Sequence, residues 1–278
     1  MSLLILLCNA ISAQNVPIYG GGVINEVEIE NCTPVLTLNN HLSSELPESV
    51  DNSQKIFMPP VYDQGIIAQS CVQVAEIWYT FTYEINRARN LAAGDGVNNL
   101  DNLYHPHYTY NFLNDGMYSH PTNYKSGFGL IREIGCPQYI VYFDQALNEF
   151  PKKYRYWMSG YEKYYSSFEN MIVDYADIEW SNSYESINSL KSWLYDYDNN
   201  ESNGGLAIIS VFMNNATYDQ FPIGSNHEGE YFLKTWGTPS STSHALTLVG
   251  YDDEVHCFAD VNGIYTNSDI NGNEILEL

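Results

Sequence analysis

The stretch that opens at Cys71 constrains the fold more than any other part of the chain. Val72, Val74, Ala75, Ile77, Trp78, Phe81, Ile85 and Ala88 recur at the three-and-four spacing of a helical face. The spacing predicts a helix from Cys71 to about Leu91, capped by Ser70 and ended by Gly94-Asp95-Gly96. Upstream, Met58-Pro59-Pro60-Val61 favours extended chain, because proline fixes its own φ and restricts the residue before it. A cysteine therefore stands at the head of a long helix. The thiolate is the reactive form of cysteine, and the unpaired N–H groups of a helix start carry partial positive charge. A thiol placed there has a lowered pKa, and the same N–H groups can stabilise a developing oxyanion. Gln64, in Asp63-Gln64-Gly65, offers a second amide donor. A cysteine at a helix start is by itself more often a buried, inert thiol, so the pattern needs a base.

Ser243-His244-Ala245-Leu246-Thr247-Leu248-Val249-Gly250-Tyr251-Asp252-Asp253 supplies one. It sets a histidine at the start of an apolar strand that ends in a Gly-Tyr-Asp turn, where the ring can face a cleft. A neutral imidazole there can take the thiol proton and later protonate a leaving amine. Other elements read as follows. Residues 103–118 are an aromatic-rich loop with a helical turn. Gly127 to Ile134 and Tyr161 to Ile172 read as helices, and Ile187, Leu190 and Leu194 mark another. Residues 206–213 read as a buried strand. Helices precede strands, which gives an α+β chain with segregated halves.

Composition limits the partners. The net charge of -23, from 11 Lys+Arg against 34 Asp+Glu, argues against nucleic acid and anionic membrane surfaces. It favours cationic substrates. Residues 1–13 are apolar at Leu3 to Leu7 and small at Ser12 and Ala13, like a secretory signal that lacks its charged start. That predicts an exported, secreted or cell-surface protein. No segment reads as a membrane span. Residues 14–45 read as an N-terminal extension or propeptide-like arm, and residues 46–278 as one domain. Cys32, Cys71, Cys136 and Cys257 form no C-x-x-C pair, which disfavours zinc. His105 and His107 flank Pro106 without an evident third metal ligand.

The Asp-Gln-Gly and Ser-Cys elements at a helix start, followed far downstream by Ser243-His244-Ala245 and Gly250-Tyr251-Asp252, resemble the papain-like cysteine peptidases, in particular their bacterial secreted branch. The likeness extends to Thr82-Tyr83-Glu84-Ile85-Asn86-Arg87, to Tyr108-Thr109-Tyr110-Asn111 and to Glu133-Ile134-Gly135-Cys136-Pro137, and covers roughly residues 46–255. It implies a papain-like α+β fold, with a helical half, a β-rich half and the active-site cleft between them. It implies hydrolysis of peptide or protein substrates through an acyl-enzyme thioester, with no cofactor required. Cys71 would be the nucleophile, His244 the general base and acid, and Gln64 the oxyanion donor.

The chain departs from the family in four places. Gln64 lies one residue further from the cysteine than is usual. Gln69 stands where glycine is common, and Val72 where tryptophan is usual. No strand carrying the asparagine that orients the imidazole follows His244, which suggests that this residue lies beyond Leu278. The family's non-catalytic relatives, acting as binding or adhesion modules, are the alternative. The Asp/Asn-rich end matches the first ligands of a calcium loop at Asp269, Asn271 and Asn273, so a structural calcium ion is a candidate.

Overall fold

A computed structural model describes residues 46–143 apart from 66, 67 and 118, then 156–178 and 184–196, and 204–253 apart from 222, 224–226, 236 and 239–242. Residues 22–23, 258–259 and 265–266 are described as backbone strand pairs. The signal-like residues 1–13, Cys32, Cys257 and the calcium candidates Asp269, Asn271 and Asn273 lie outside the described residues.

Helix α1 begins at Cys71 as the sequence predicts. It starts as α-helix (Cys71–Gln73), widens to π-helix (Val74–Phe81) and closes as α-helix (Thr82–Arg89). The Thr82 backbone N–H donates to the Ile77 carbonyl, five residues back, which is the reach of a π turn, and the Thr82 hydroxyl donates to the same carbonyl at 3.0 Å. Val72, Ile77, Trp78 and Phe81 are buried along it. Its two caps differ from expectation. Ser70 makes no side-chain cap, since its φ of -99° and ψ of 13° depart from the extended geometry a cap needs. The helix stops at Arg89, before the glycines. Asn90 turns left-handed there (φ 53°, ψ 48°), and the Leu91 N–H returns to the Asn86 carbonyl at 2.9 Å.

Four more helices build the helical half: α2 (His107–Leu113), α3 (Ser126–Ile134), α4 (Tyr139–Tyr142) and α5 (Tyr161–Ser167). Their core with α1 holds Ile77, Phe81, Tyr104, Tyr108, Ile131, Cys136, Tyr142, Phe143 and Met158. Much of the tyrosine excess is spent here, with rings packed and hydroxyls returned to polar groups. The Tyr142 hydroxyl donates to the Tyr156 carbonyl at 2.9 Å, and that of Tyr104 to Asn170 Oδ1 at 3.2 Å. Gly135 ends α3 with φ 68°, where an added Cβ would lie 1.8 Å from the Ser167 carbonyl oxygen.

The β half centres on an antiparallel pair, β4 (Ala207–Val211) with β7 (His244–Leu248), in register from Ala207↔Leu248 to Val211↔His244. Helix α6 (Tyr184–Asp196) covers it through Leu190 and Leu194, which meet Leu248 and Tyr251. Strand β2 (Ser49–Asp51) pairs antiparallel with β8 (Gly250–Asp252). Buried Asn52 then donates to the carbonyls of Leu194 at 2.8 Å and Gly205 at 3.1 Å, fastening the incoming chain to both α6 and β4. A hairpin of β5 (Thr217–Gln220) and β6 (Tyr231–Thr235) completes this side. The halves meet where the Tyr83 hydroxyl donates to the Gly204 carbonyl at 3.0 Å and where Phe57, Tyr83, Leu206 and Val249 cluster. Helices and strands are thus segregated, as the sequence order predicts.

Candidate active site

The head of α1 lies against β7. Cys71, Val72 and Ala75 form one buried cluster with Ala245, and Tyr124 and Ile208 pack onto it. Ala245 immediately follows His244, so the contact brings the two halves of the sequence-predicted pair to one junction although 173 positions separate them in the chain. Helix and strand each have a reason to be there. The apolar stripe of α1 needs a partner surface, and Ala245 is small enough to let the helix approach β7 closely.

Cys71 is 2% exposed and reduced. His244 is half-buried as a residue, but its Nδ1 is sealed from solvent and has no hydrogen-bond partner among the described residues. Desolvation pushes the imidazole down to about 4. At neutral pH the ring is uncharged and has a nitrogen able to accept a proton. No thiol–imidazole bond is made through Nδ1 in this arrangement.

Gln64 sits in an Asx turn, where Asp63 Oδ1 accepts the Gly65 N–H at 2.8 Å and Gly65 takes φ 68°. Its amide Nε2 donates to the Ala68 carbonyl at 2.7 Å. One of its two amide hydrogens is therefore engaged with Ala68, just ahead of the head of α1.

Several residues at the junction carried no functional reading in the sequence. Glu76 is fully buried on α1, and its carboxylate accepts the backbone N–H of Lys125 at 2.5 Å and that of Gly127 at 2.8 Å, at the start of α3. Burial still dominates and pushes its carboxyl up to about 8. Gln73 Nε2 donates to Thr122 Oγ1 at 3.1 Å. The Tyr124 hydroxyl lies 3.2 Å from Ser243 Oγ, and burial pushes that phenol up to about 12. The only signal for Glu76 was an acid interrupting an apolar run. Tyr124 had no signal beyond being one of 24 tyrosines.

The remaining candidates are structural where they are described. His105 and His107 are buried in an aromatic cage. His105 Nδ1 accepts the His107 N–H at 3.1 Å and its Nε2 lies 3.3 Å from the Tyr62 hydroxyl. Cys136 is a core thiol that burial pushes well above the ordinary value. Among the described residues no three His, Cys, Asp or Glu side chains are grouped to hold a metal ion. Among them, too, no helix is long and apolar enough to cross a membrane.

Helical and β-rich halves meeting at Cys71 and the His244 strand define a papain-like α+β fold, the fold of cysteine peptidases. The structure is similar to that of xylellain, a cysteine protease from Xylella fastidiosa, with a TM-score of 0.52 and 15% identity over 85% of this chain and 82% of that one. It also matches digestive procathepsin L 3 of Tenebrio molitor larval midgut, with a TM-score of 0.43 and 14% identity over 81% of this chain and 61% of that one. No protein-family profile and no curated protein sequence matches the chain.

Proposed function

We propose that the protein is a cysteine peptidase in which Cys71 attacks the scissile carbonyl and His244 moves the proton. The observation that carries this reading is the packing of Cys71, at the head of α1, against Ala245, the neighbour of His244. The neutral imidazole takes the thiol proton as sulfur attacks, and a thioester forms as the amine leaves with that proton. Water then cleaves the thioester, with His244 again as base. The Cys71 N–H and the remaining amide hydrogen of Gln64 face the oxyanion. No cofactor enters these steps.

Substrates in this reading are peptides or proteins, and the acidic chain favours cationic ones. Residues 14–45 act as a propeptide-like arm. Strand β1 (Gly22–Val23) in that arm pairs parallel with β3 (Thr122–Asn123), directly before Tyr124, which supports a place for the arm beside the site. Export, as the apolar N-terminus suggests, belongs to the same reading.

The test is peptide hydrolysis by the wild type and by Cys71→Ala, each before and after limited proteolysis of the arm. The reading expects turnover in the trimmed wild type and none in the variant. Turnover that persists in Cys71→Ala overturns it. So does a folded, trimmed wild type that neither hydrolyses peptides nor reacts with a thiol-directed peptide inhibitor, the behaviour of a binding module.

A further inference from the structure

The segment from Thr122 to Gly127 touches both sides of the proposed dyad. On the α1 side, Gln73 holds Thr122, and Glu76 receives the N–H groups of Lys125 and Gly127. On the β side, the Tyr124 hydroxyl meets Ser243 Oγ at 3.2 Å, and Ser243 directly precedes His244. Ser210, opposite Ala245 on β4, lies near enough to that hydroxyl to act on its pKa. The Tyr124 ring meanwhile packs on the Cys71 cluster. Lys125, the next residue, is held at φ 67° and ψ -9°, a left-handed conformation uncommon for a side-chain-bearing residue. That conformation persists because the residue before it, Tyr124, is held against the strands and the Lys125 N–H is held by Glu76.

We propose that Tyr124 is a positioning residue for the Cys71–His244 pair. Its ring sets the head of α1, and its hydroxyl sets the start of β7. The chain from Lys125 to Gly127 anchors it to Glu76, five positions after the nucleophile. Among the described residues His244 Nδ1 has no hydrogen-bond partner, and Tyr124 acts on the start of β7 through Ser243, the residue before His244. The groups that face the Tyr124 hydroxyl are Ser210 and Ser243, with the Cys71 thiol and the Glu76 carboxyl near enough to act on it electrostatically.

This inference rests on the peptidase reading, and the experiment separates the two. Tyr124→Phe keeps the ring and removes the hydroxyl. Ser243→Ala removes the partner and leaves Tyr124 intact. Both are measured in the full-length protein with its arm trimmed by limited proteolysis, reading kcat and KM for a peptide substrate and the pH profile of iodoacetamide reaction at Cys71. Loss of one aligning contact should lower kcat roughly tenfold with KM within about twofold, and should move the pH midpoint of alkylation up by about half a unit toward that of an ordinary thiol. An unchanged kcat and midpoint in both variants, against an active wild type, overturns the positioning role alone. A wild type that neither hydrolyses peptides nor alkylates at Cys71 overturns the peptidase reading, and this role with it. If Tyr124→Phe fails to fold, Ser243→Ala carries the comparison, and a wild-type profile in it overturns the role.

Discussion

Glu76 makes the stability of this protein depend on pH with a definite sign. Burial pushes its carboxyl from 4.5 up to about 8, against the pull of the backbone N–H groups of Lys125, Gly127 and Phe128. Between those two values the native state holds a proton that the unfolded chain has released. The group's contribution is therefore fully present below about 4.5 and is lost as pH rises through about 8. At about 1.36 kcal/mol per pH unit, raising the pH from about 5 to about 8 lowers stability by on the order of 3 kcal/mol. Glu76→Gln removes the titration, and its stability should stay flat over that window apart from the background shared with the wild type. It also turns an amide NH₂ toward the N–H of Lys125 or of Gly127, so near pH 5 it should be less stable than the wild type by about 1–3 kcal/mol. Urea unfolding of both proteins at three pH values and fixed ionic strength measures this. A difference between them that stays constant across the window, to within about 0.5 kcal/mol, would refute the reasoning. It would mean that the start of α3 keeps the carboxylate charged throughout.

Two further outcomes follow from the geometry. Gly135→Ala should lower stability by more than about 2 kcal/mol, because a Cβ meets the Ser167 carbonyl at 1.8 Å and φ is 68°, and thermal unfolding reads this directly. The His244 ring, pushed down to about 4, should titrate by NMR well below the ordinary histidine range. Its contribution to stability then grows as pH rises from about 4 to about 6.5, and a midpoint near 6.5 would contradict the sealed environment of Nδ1.

The parts of the fold legible in the sequence are those set by local periodicity. The apolar stripe from Val72 to Ile85 located α1, and the apolar runs at 206–213 and 244–249 located β4 and β7 to within two residues. The π-helical middle of α1 was not legible, because a π turn uses the same apolar residues as an α turn and shows itself only in hydrogen bonds five residues apart. The helix end at about Leu91 is legible to within two residues, but the residue that makes the stop is not, because Asn90 adopts the left-handed conformation ahead of the glycines. Within the candidate site, Cys71 and His244 stood out by type and position. The residues between them did not. Tyr124 reaches Ser243 across 119 positions of chain, and Glu76 reaches Lys125 across 49, so their roles depend on tertiary packing that no local pattern encodes.

The central claim is that Cys71 is a nucleophile activated by His244. The measurement that bears on it most directly is iodoacetamide reaction of the arm-trimmed protein near pH 6, mapped by peptide mass spectrometry to each cysteine. The expected result is rapid modification of Cys71, which lies beside the His244 strand, and none of Cys136, which lies in the helical core with no base beside it among the described residues and is pushed well above the ordinary value. His244→Ala should also slow the reaction at Cys71 by about a hundredfold. Equal labelling of the two cysteines, or a Cys71 rate that does not respond to the loss of His244, would contradict the claim.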